Sequence, residues 1–190
     1  MKLLNLEKVR DGKYLKSYEL TYLNKAGREK KYEIVSRSEL KSPEDLGTSM
    51  SGISIVAIMD DKLLLLKEFR MGVNRTVYNL CAGLIEPGET IEDCIRRELY
   101  EETGLALKRI IKILPPSFAA VAVSDIRTQI VIVEAEGTLG DHTSENEQIQ
   151  AALYTKEECR TLLEKEAFSS RSQIMAWFFT ENAFERLDKI

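Results

Sequence analysis

The sequence predicts an α+β fold in which a mixed sheet carries one central helix and two late ones. Three observations lead there. Most strand-like segments precede position 84 or flank a single well-capped helix. The helical patterns cluster around 91–103 and after 155. No regular strand–helix–strand repeat is present, as a parallel doubly wound sheet would require.

The strands are justified in order. Residues 13–23 (KYLKSYELTYL) and 30–37 (KKYEIVSR) are rich in tyrosine and β-branched residues. The intervening Asn24-Lys25-Ala26-Gly27-Arg28 is a turn signal, so the pair reads as a hairpin. Residues 38–50 are polar and contain Pro43 and Gly47, so they read as a connector. The domain reading is a β extension over 1–47 and a main domain over 48–190. A second hairpin follows, ISIVAIM (53–59) and KLLLLKEF (62–69) about Asp60-Asp61, and residues 77–83 read as a further strand. Later strands are expected at 108–113 and 129–136.

The central helix has the clearest signals. Thr90 with Asp93 forms a capping-box pattern, Ile91, Ile95 and Leu99 share a face, and Gly104 stands where a glycine ends helices. Thr155 with Glu158 opens a second helix. A third contains Ile174, Trp177 and Phe178, and we read Trp177 and the nearby phenylalanines as core.

Composition narrows the function. The 190 residues carry 31 acidic and 27 basic side chains, a formal net charge of −4, which disfavours a nucleic-acid partner. No run reaches the roughly 20 apolar residues of a membrane span, so no membrane partner is expected. Residues 1–10 show no leader pattern. Cys81, Cys94 and Cys159 form no CxxC pair, and reduced thiols in a cytoplasmic protein are expected. The single histidine, His142, excludes a two-histidine metal site and reads as a loop residue.

The chemistry concentrates in residues 83–105, GLIEPGETIEDCIRRELYEETGL. Glu98, Glu101 and Glu102 fall at i, i+3 and i+4, which puts three carboxylates on one helical stripe. Like charges at this spacing cost about 0.2–0.5 kcal/mol per pair. A hard divalent cation turns that repulsion into binding. Glu92 reads as solvated and Asp93 as a cap.

Gly83, Glu89, Arg97, Glu98, Leu99, Glu101, Glu102, Gly104 and Leu105 match G-x5-E-x7-R-E-U-x-E-E-x-G-U at every defined position, U being a bulky aliphatic residue. This pattern resembles the Nudix box of the Nudix hydrolase superfamily. The resemblance implies an α/β/α sandwich with a mixed sheet, here plus a small N-terminal hairpin. It implies hydrolysis of a diphosphate joined to a second group, dependent on Mg²⁺ with Mn²⁺ as a substitute. It assigns Glu98, Glu101, Glu102 and the Ala82 carbonyl as metal ligands. Arg97 and Glu89 would orient those ligands through salt bridges, and Gly83 and Gly88 would supply tight turns.

Outside the box, Glu68-Phe69-Arg70 and VYNLCAGLIEPGE (77–89) resemble the ADP-ribose pyrophosphatase and nucleotide-sugar branch. That branch commonly reads "QYR" and then "ELPAGxxEPGE". Glu68 stands in place of glutamine, Asn79 in place of glutamate and Cys81 in place of proline. Ser124-Asp125-Ile126-Arg127-Thr128 resembles an "SDERT" segment without its glutamate. By this resemblance Arg70 is a candidate for binding substrate. The N-terminal extension would build a homodimer whose two subunits share the site. Glu145 and Glu147, in the polar loop 137–148, are candidates for the base that activates water, Glu147 preferred. ADP-ribose, cleaved to AMP and ribose 5-phosphate, is the favoured substrate. GDP-mannose or another nucleotide sugar is the alternative, and a Nudix-fold ligand-binding module without turnover is the rival of a different class.

Overall fold

The computed structural model describes residues 1–140 and 148–184. The chain divides into two compact units, residues 1–52 with 115–129, and residues 53–114 with 130–190.

The first unit holds an antiparallel three-stranded sheet, β1 (Lys2–Asp11), β2 (Lys16–Leu23) and β3 (Glu29–Ser36), in the order β1-β2-β3. The expected hairpin is β2–β3. The Asn24 side chain closes its turn by accepting from the amides of Ala26 and Arg28, and Gly27 takes the left-handed conformation. β1 is an addition to the expected hairpin. Tyr18, Leu20, Ile34 and Leu40 form the small core. The Tyr18 hydroxyl accepts from the Leu40 amide at 2.8 Å, so this fully buried ring keeps its polar end satisfied. A short strand, β9 (Ser117–Phe118), pairs with Arg127 and Thr128.

The remaining strands are β4 (Met50–Met59), β5 (Lys62–Arg70), β6 (Arg75–Asn79), β7 (Cys81–Leu84), β8 (Ala106–Ile113), β10 (Arg127–Glu136) and β11 (Ile149–Tyr154). They belong to a mixed sheet ordered β11-β5-β4-β10-β8, with β6 paired to β5 and β7 to β4. The stretch expected as one strand over 77–83 is thus two strands with different partners, broken at Leu80. β11 stands where the ADP-ribose branch has its final strand, at the end of the segment Glu145-Asn146-Glu147-Gln148-Ile149 that resembles that branch, although its own residues carry no strand pattern. It runs antiparallel to β5 from Ile149 opposite Glu68 to Tyr154 opposite Leu63.

Among the described residues three α-helices accompany this sheet: α1 (Ile91–Thr103), α2 (Lys156–Lys165) and α3 (Ser170–Thr180). The capping boxes of α1 and α2 form as the sequence predicts, and Gly104 ends α1 at φ 75°. α1 buries Cys94, Ile95, Leu99 and Thr103, and with them Glu98. The main core gathers Val56, Leu63, Leu65, Tyr78, Ile132 and Phe179 among others. The reading of Trp177 as core is corrected: Trp177 is 54% exposed, and Ile174 and Phe178 are also exposed, while α3 buries Ala176 and Phe179. All three cysteines are buried and unpaired.

Candidate active site

The site is built where α1 packs on β7 within the second unit. Its organiser is Arg97. The guanidinium donates from Nε to Glu89 Oε1 (2.8 Å) and from Nη2 to Glu89 Oε2 (3.0 Å), a bidentate pair. Nη1 donates to Glu98 Oε1 (2.7 Å) and Glu101 Oε2 (3.2 Å), and Nη2 also reaches the Leu84 carbonyl (2.9 Å). One side chain thus joins the strand end, the following loop and two carboxylates of the helix. A lysine, with a point charge and no fork, could not make this set.

Glu89 is in turn fixed by the loop. Its Oε2 accepts from the Glu86 amide at 2.8 Å, and the turn is completed by Gly88 at φ 83°. The hydrogen bonds from Arg97 and from Glu86 hold the Glu89 carboxyl at about 2. The same carboxylates raise the Arg97 guanidinium further above its ordinary value.

Gly83 leaves the room that the Glu98 carboxylate fills. A Cβ at this position would lie 1.6 Å from Glu98 Oε1 and 1.8 Å from its carboxyl carbon. Glu98 therefore occupies the space that any other residue at 83 would fill. Burial pushes its carboxyl up from the ordinary range, and the hydrogen bond and charge of Arg97 oppose the rise.

Glu102, one turn on, accepts from the Ala82 amide at 3.1 Å. Burial pushes it up to about 7, against hydrogen bonds from Cys81 and Ala82, and the charges of Glu98 and Glu68 add to the rise. Burial also pushes the Cys81 thiol well above its usual value, with Glu102 the next cause, so Cys81 stays a neutral thiol. Glu101 differs from its two neighbours: its side chain is 53% exposed. The stripe expected from spacing therefore fans out, with Glu98 and Glu102 turned toward β7 and Glu101 toward solvent.

Arg70 ends β5 and pairs with Glu68 at 3.0 Å. In the sequence Glu68 stands out only as part of the Glu68-Phe69-Arg70 motif. Its side chain is 11% exposed and holds both Arg70 and Asn79. Strand parity gave no signal, because Leu63 to Leu66 are buried on both faces of β5 and only the structure shows Glu68 buried and Lys67 exposed. Ser169 and Ser172 were also missed, and both bond to Asn79. As expected, Asp93 caps α1. Glu92 is solvated and pairs with Arg96 at 2.7 Å. Glu145, Glu147 and His142 lie outside the described residues.

Among the described residues, no group of three or more His, Cys, Asp or Glu side chains converges to hold an ion. Glu98 and Glu101 bond to Arg97, and Glu102 bonds to the Ala82 amide. The donor set still suits a hard divalent cation, because it offers carboxylate and carbonyl oxygens and no imidazole. Gly83 leaves room for the buried Glu98 carboxylate, and a cation would offset the like-charge repulsion that Glu98 and Glu68 exert on Glu102.

The NUDIX domain profile matches residues 48–178, so the chain belongs to the NUDIX family. Within it, the putative nudix hydrolase 2 of Caenorhabditis elegans is 27% identical over 139 residues, covering 71% of this chain and 60% of that protein. The ADP-ribose pyrophosphatase of Escherichia coli strain K12 is 30% identical over 126 residues, covering 61% and 59%. The chain thus spans about 60% of the length of these relatives. A crystal structure of an ADP compounds hydrolase superposes with a TM-score of 0.72 at 23% identity, covering 100% of this chain and 96% of that one. That likeness confirms the α+β Nudix-like fold with its mixed sheet. Among the described residues no helix is long and apolar enough to cross a membrane.

Proposed function

We propose that the protein is a divalent-metal-dependent hydrolase of nucleoside diphosphate sugars, with ADP-ribose, giving AMP and ribose 5-phosphate, as the favoured substrate. The observation that carries this reading is the Arg97 junction, which bonds to Glu89, Glu98 and Glu101 while Gly83 leaves Glu98 its space. The similarity to ADP-ribose pyrophosphatases supports the substrate class.

In this reading Glu98, Glu101, Glu102 and the Ala82 carbonyl hold Mg²⁺, or Mn²⁺ in its place. Bound there, the cation supplies charge stabilisation to phosphoryl oxygens and activation of water. Arg97 and Glu89 fix where the carboxylates stand before substrate arrives. Arg70 contacts the substrate, and Glu145 or Glu147 supplies the base. No serine, cysteine or histidine nucleophile is needed, in keeping with the buried neutral thiol at Cys81.

Two further proposals accompany this one. The first unit exposes Val9, Tyr14, Phe118, Val121 and Val123, which supports a second copy of the chain as its partner. The three free cysteines suit a reducing compartment such as the cytoplasm.

The test is a screen of ADP-ribose, GDP-mannose and other nucleoside diphosphate derivatives with Mg²⁺, resolving phosphate-containing products. AMP with ribose 5-phosphate from ADP-ribose is the expected result. A preference for GDP-mannose moves the substrate within the class. Saturable binding of a derivative with no turnover overturns the enzymatic reading in favour of a ligand-binding module.

A further inference from the structure

Asn79, the last residue of β6, is a junction between two elements. Its Oδ1 accepts from the hydroxyls of Ser169 and Ser172, each at 2.8 Å. Its Nδ2 donates to Glu68 Oε2 at 3.0 Å. The chemistry fixes the orientation of the amide, since an ionised carboxylate accepts only and the nitrogen must face it.

Each arm leads somewhere. Ser169 is the N-cap of α3, and Ser172 lies one turn in, where its hydroxyl accepts from the Leu80 amide at 2.9 Å. The Ser169 amide donates to the Tyr78 carbonyl at 3.1 Å, so the first turn of α3 is pinned to β6. On the other arm, Glu68 is nearly buried and its second oxygen pairs with Nη1 of the half-exposed Arg70 at 3.0 Å. Arg171 belongs to the same first turn of α3. Burial, and next the charge of Arg70, lower its guanidinium from the ordinary value.

The geometry points to Asn79 as a positioning residue that holds Glu68, and through Glu68 holds Arg70, in place for an anionic substrate group. The inference rests on the reading of the protein as a nucleoside diphosphate sugar hydrolase. Asparagine is suited to the post because it accepts on the α3 side and donates on the β5 side. Aspartate keeps the first role and loses the second, placing a carboxylate against the Glu68 carboxylate. Glu68 would then swing away, and Arg70 would lose its partner.

The experiment is a donor–acceptor exchange. N79D keeps both serine bonds and breaks the link to Glu68. The double variant N79D/E68Q restores the link with reversed polarity, because a glutamine at 68 donates to the aspartate and still offers its carbonyl to Arg70. With ADP-ribose and saturating Mg²⁺, N79D is expected to raise KM about tenfold and to leave kcat within about threefold, as for loss of binding common to ground and transition states. N79D/E68Q is expected to return KM to within about threefold of wild type. An unchanged KM in N79D, or no recovery in a double variant with wild-type thermal stability, overturns the assignment. If N79D does not fold, E68Q alone carries the test. Its single carbonyl must serve both Asn79 and Arg70, so KM should rise at least threefold, and an unchanged KM overturns the assignment. Wild-type protein that hydrolyses no nucleoside diphosphate sugar overturns the functional reading and this inference together. Wild-type turnover with an unaffected KM in N79D overturns this inference alone.

Discussion

Gly83 and Glu98 occupy one space: a Cβ on residue 83 would sit 1.6 Å from Glu98 Oε1. The clash extends to the carboxyl carbon at 1.8 Å, so the Glu98 side chain cannot escape by turning its tip alone. Gly83→Ala should therefore drive Glu98 off Arg97 Nη1, breaking a 2.7 Å charge-assisted bond. The expected outcome is at least about 10²-fold loss of kcat at saturating substrate and Mg²⁺, the magnitude of losing a group that stabilises transition-state charge. Circular dichroism should show an intact fold. Near-wild-type kcat in this variant contradicts the assigned place of Glu98 in the chemistry.

Removing the carboxylates themselves separates activity from stability. Glu98→Gln and Glu102→Gln should each lower turnover by about 10²-fold or more, because metal-centred stabilisation supplies several kcal/mol. Both carboxyls sit in surroundings that raise them by burial, and Glu98 lies beside Glu101 and Glu89. Neutral isosteres should accordingly leave the thermal midpoint unchanged or slightly higher. Full turnover in both variants rules out this site.

How much of this was readable beforehand depends on where the controlling interaction lies. α1 was legible because its determinants are local: Thr90, Asp93 and Gly104 act within the helix they delimit. β1 was not, because register shifts between Leu3 and Asn5 and between Lys8 and Arg10 break the alternation that betrays a strand. β11 carries two alanines, poor strand formers, and is held by its pairing with β5. In α3 the run from Ile174 to Phe179 is apolar on every side, so periodicity could not say that Ala176 and Phe179 face inward and Trp177 outward. At the site, the Nudix box gave Arg97 and its partners, since their spacing on one helix and one loop is fixed. Glu68 and Asn79 looked like two separate departures from "QYR" and "ELPAG". The hydrogen bond between them makes them one exchange, with the carboxylate moved to position 68 and the carboxamide to position 79.

Acid should loosen the Arg97 junction in a defined window. Arg97 holds the Glu89 carboxyl at about 2, below its ordinary 4.5. A depressed folded-state value means the pair contributes fully above about pH 4.5, and the contribution is lost as pH falls toward 2. The stability gap between wild type and Glu89→Gln, from urea unfolding, should be flat between pH 8 and about pH 5 and should shrink by pH 3. A gap that widens toward acid reverses the sign and contradicts the pairing.

Assembly is tested separately from chemistry. The three-stranded sheet of the first unit has a core of four buried residues, with Val9 exposed on β1 and Tyr14 exposed in the turn between β1 and β2. A sheet this small gains stability by packing its apolar surface against another. Light scattering should give a dimer at working concentration, and deletion of residues 1–45 should impair both assembly and substrate binding. A monomeric wild-type protein sinks the proposal.

The base that activates water is the last group to be assigned. The carboxylates of Glu98, Glu101 and Glu102 are committed to the metal in the proposed reading, and Glu89 is committed to Arg97. A free acceptor must then come from elsewhere in the chain. Glu145 and Glu147 are the candidates in the segment that leads into β11, and Glu147 is preferred. Glu145→Gln and Glu147→Gln, measured separately over a pH series, should differ. One should lower kcat by about 10²-fold or more with little change in KM, as expected when an interaction made only in the transition state is lost. The same variant should lose the acidic limb of the pH–rate profile, because that limb reports protonation of the base. If neither variant changes kcat more than a few-fold, this segment supplies no base, and a box glutamate or metal-bound hydroxide must serve.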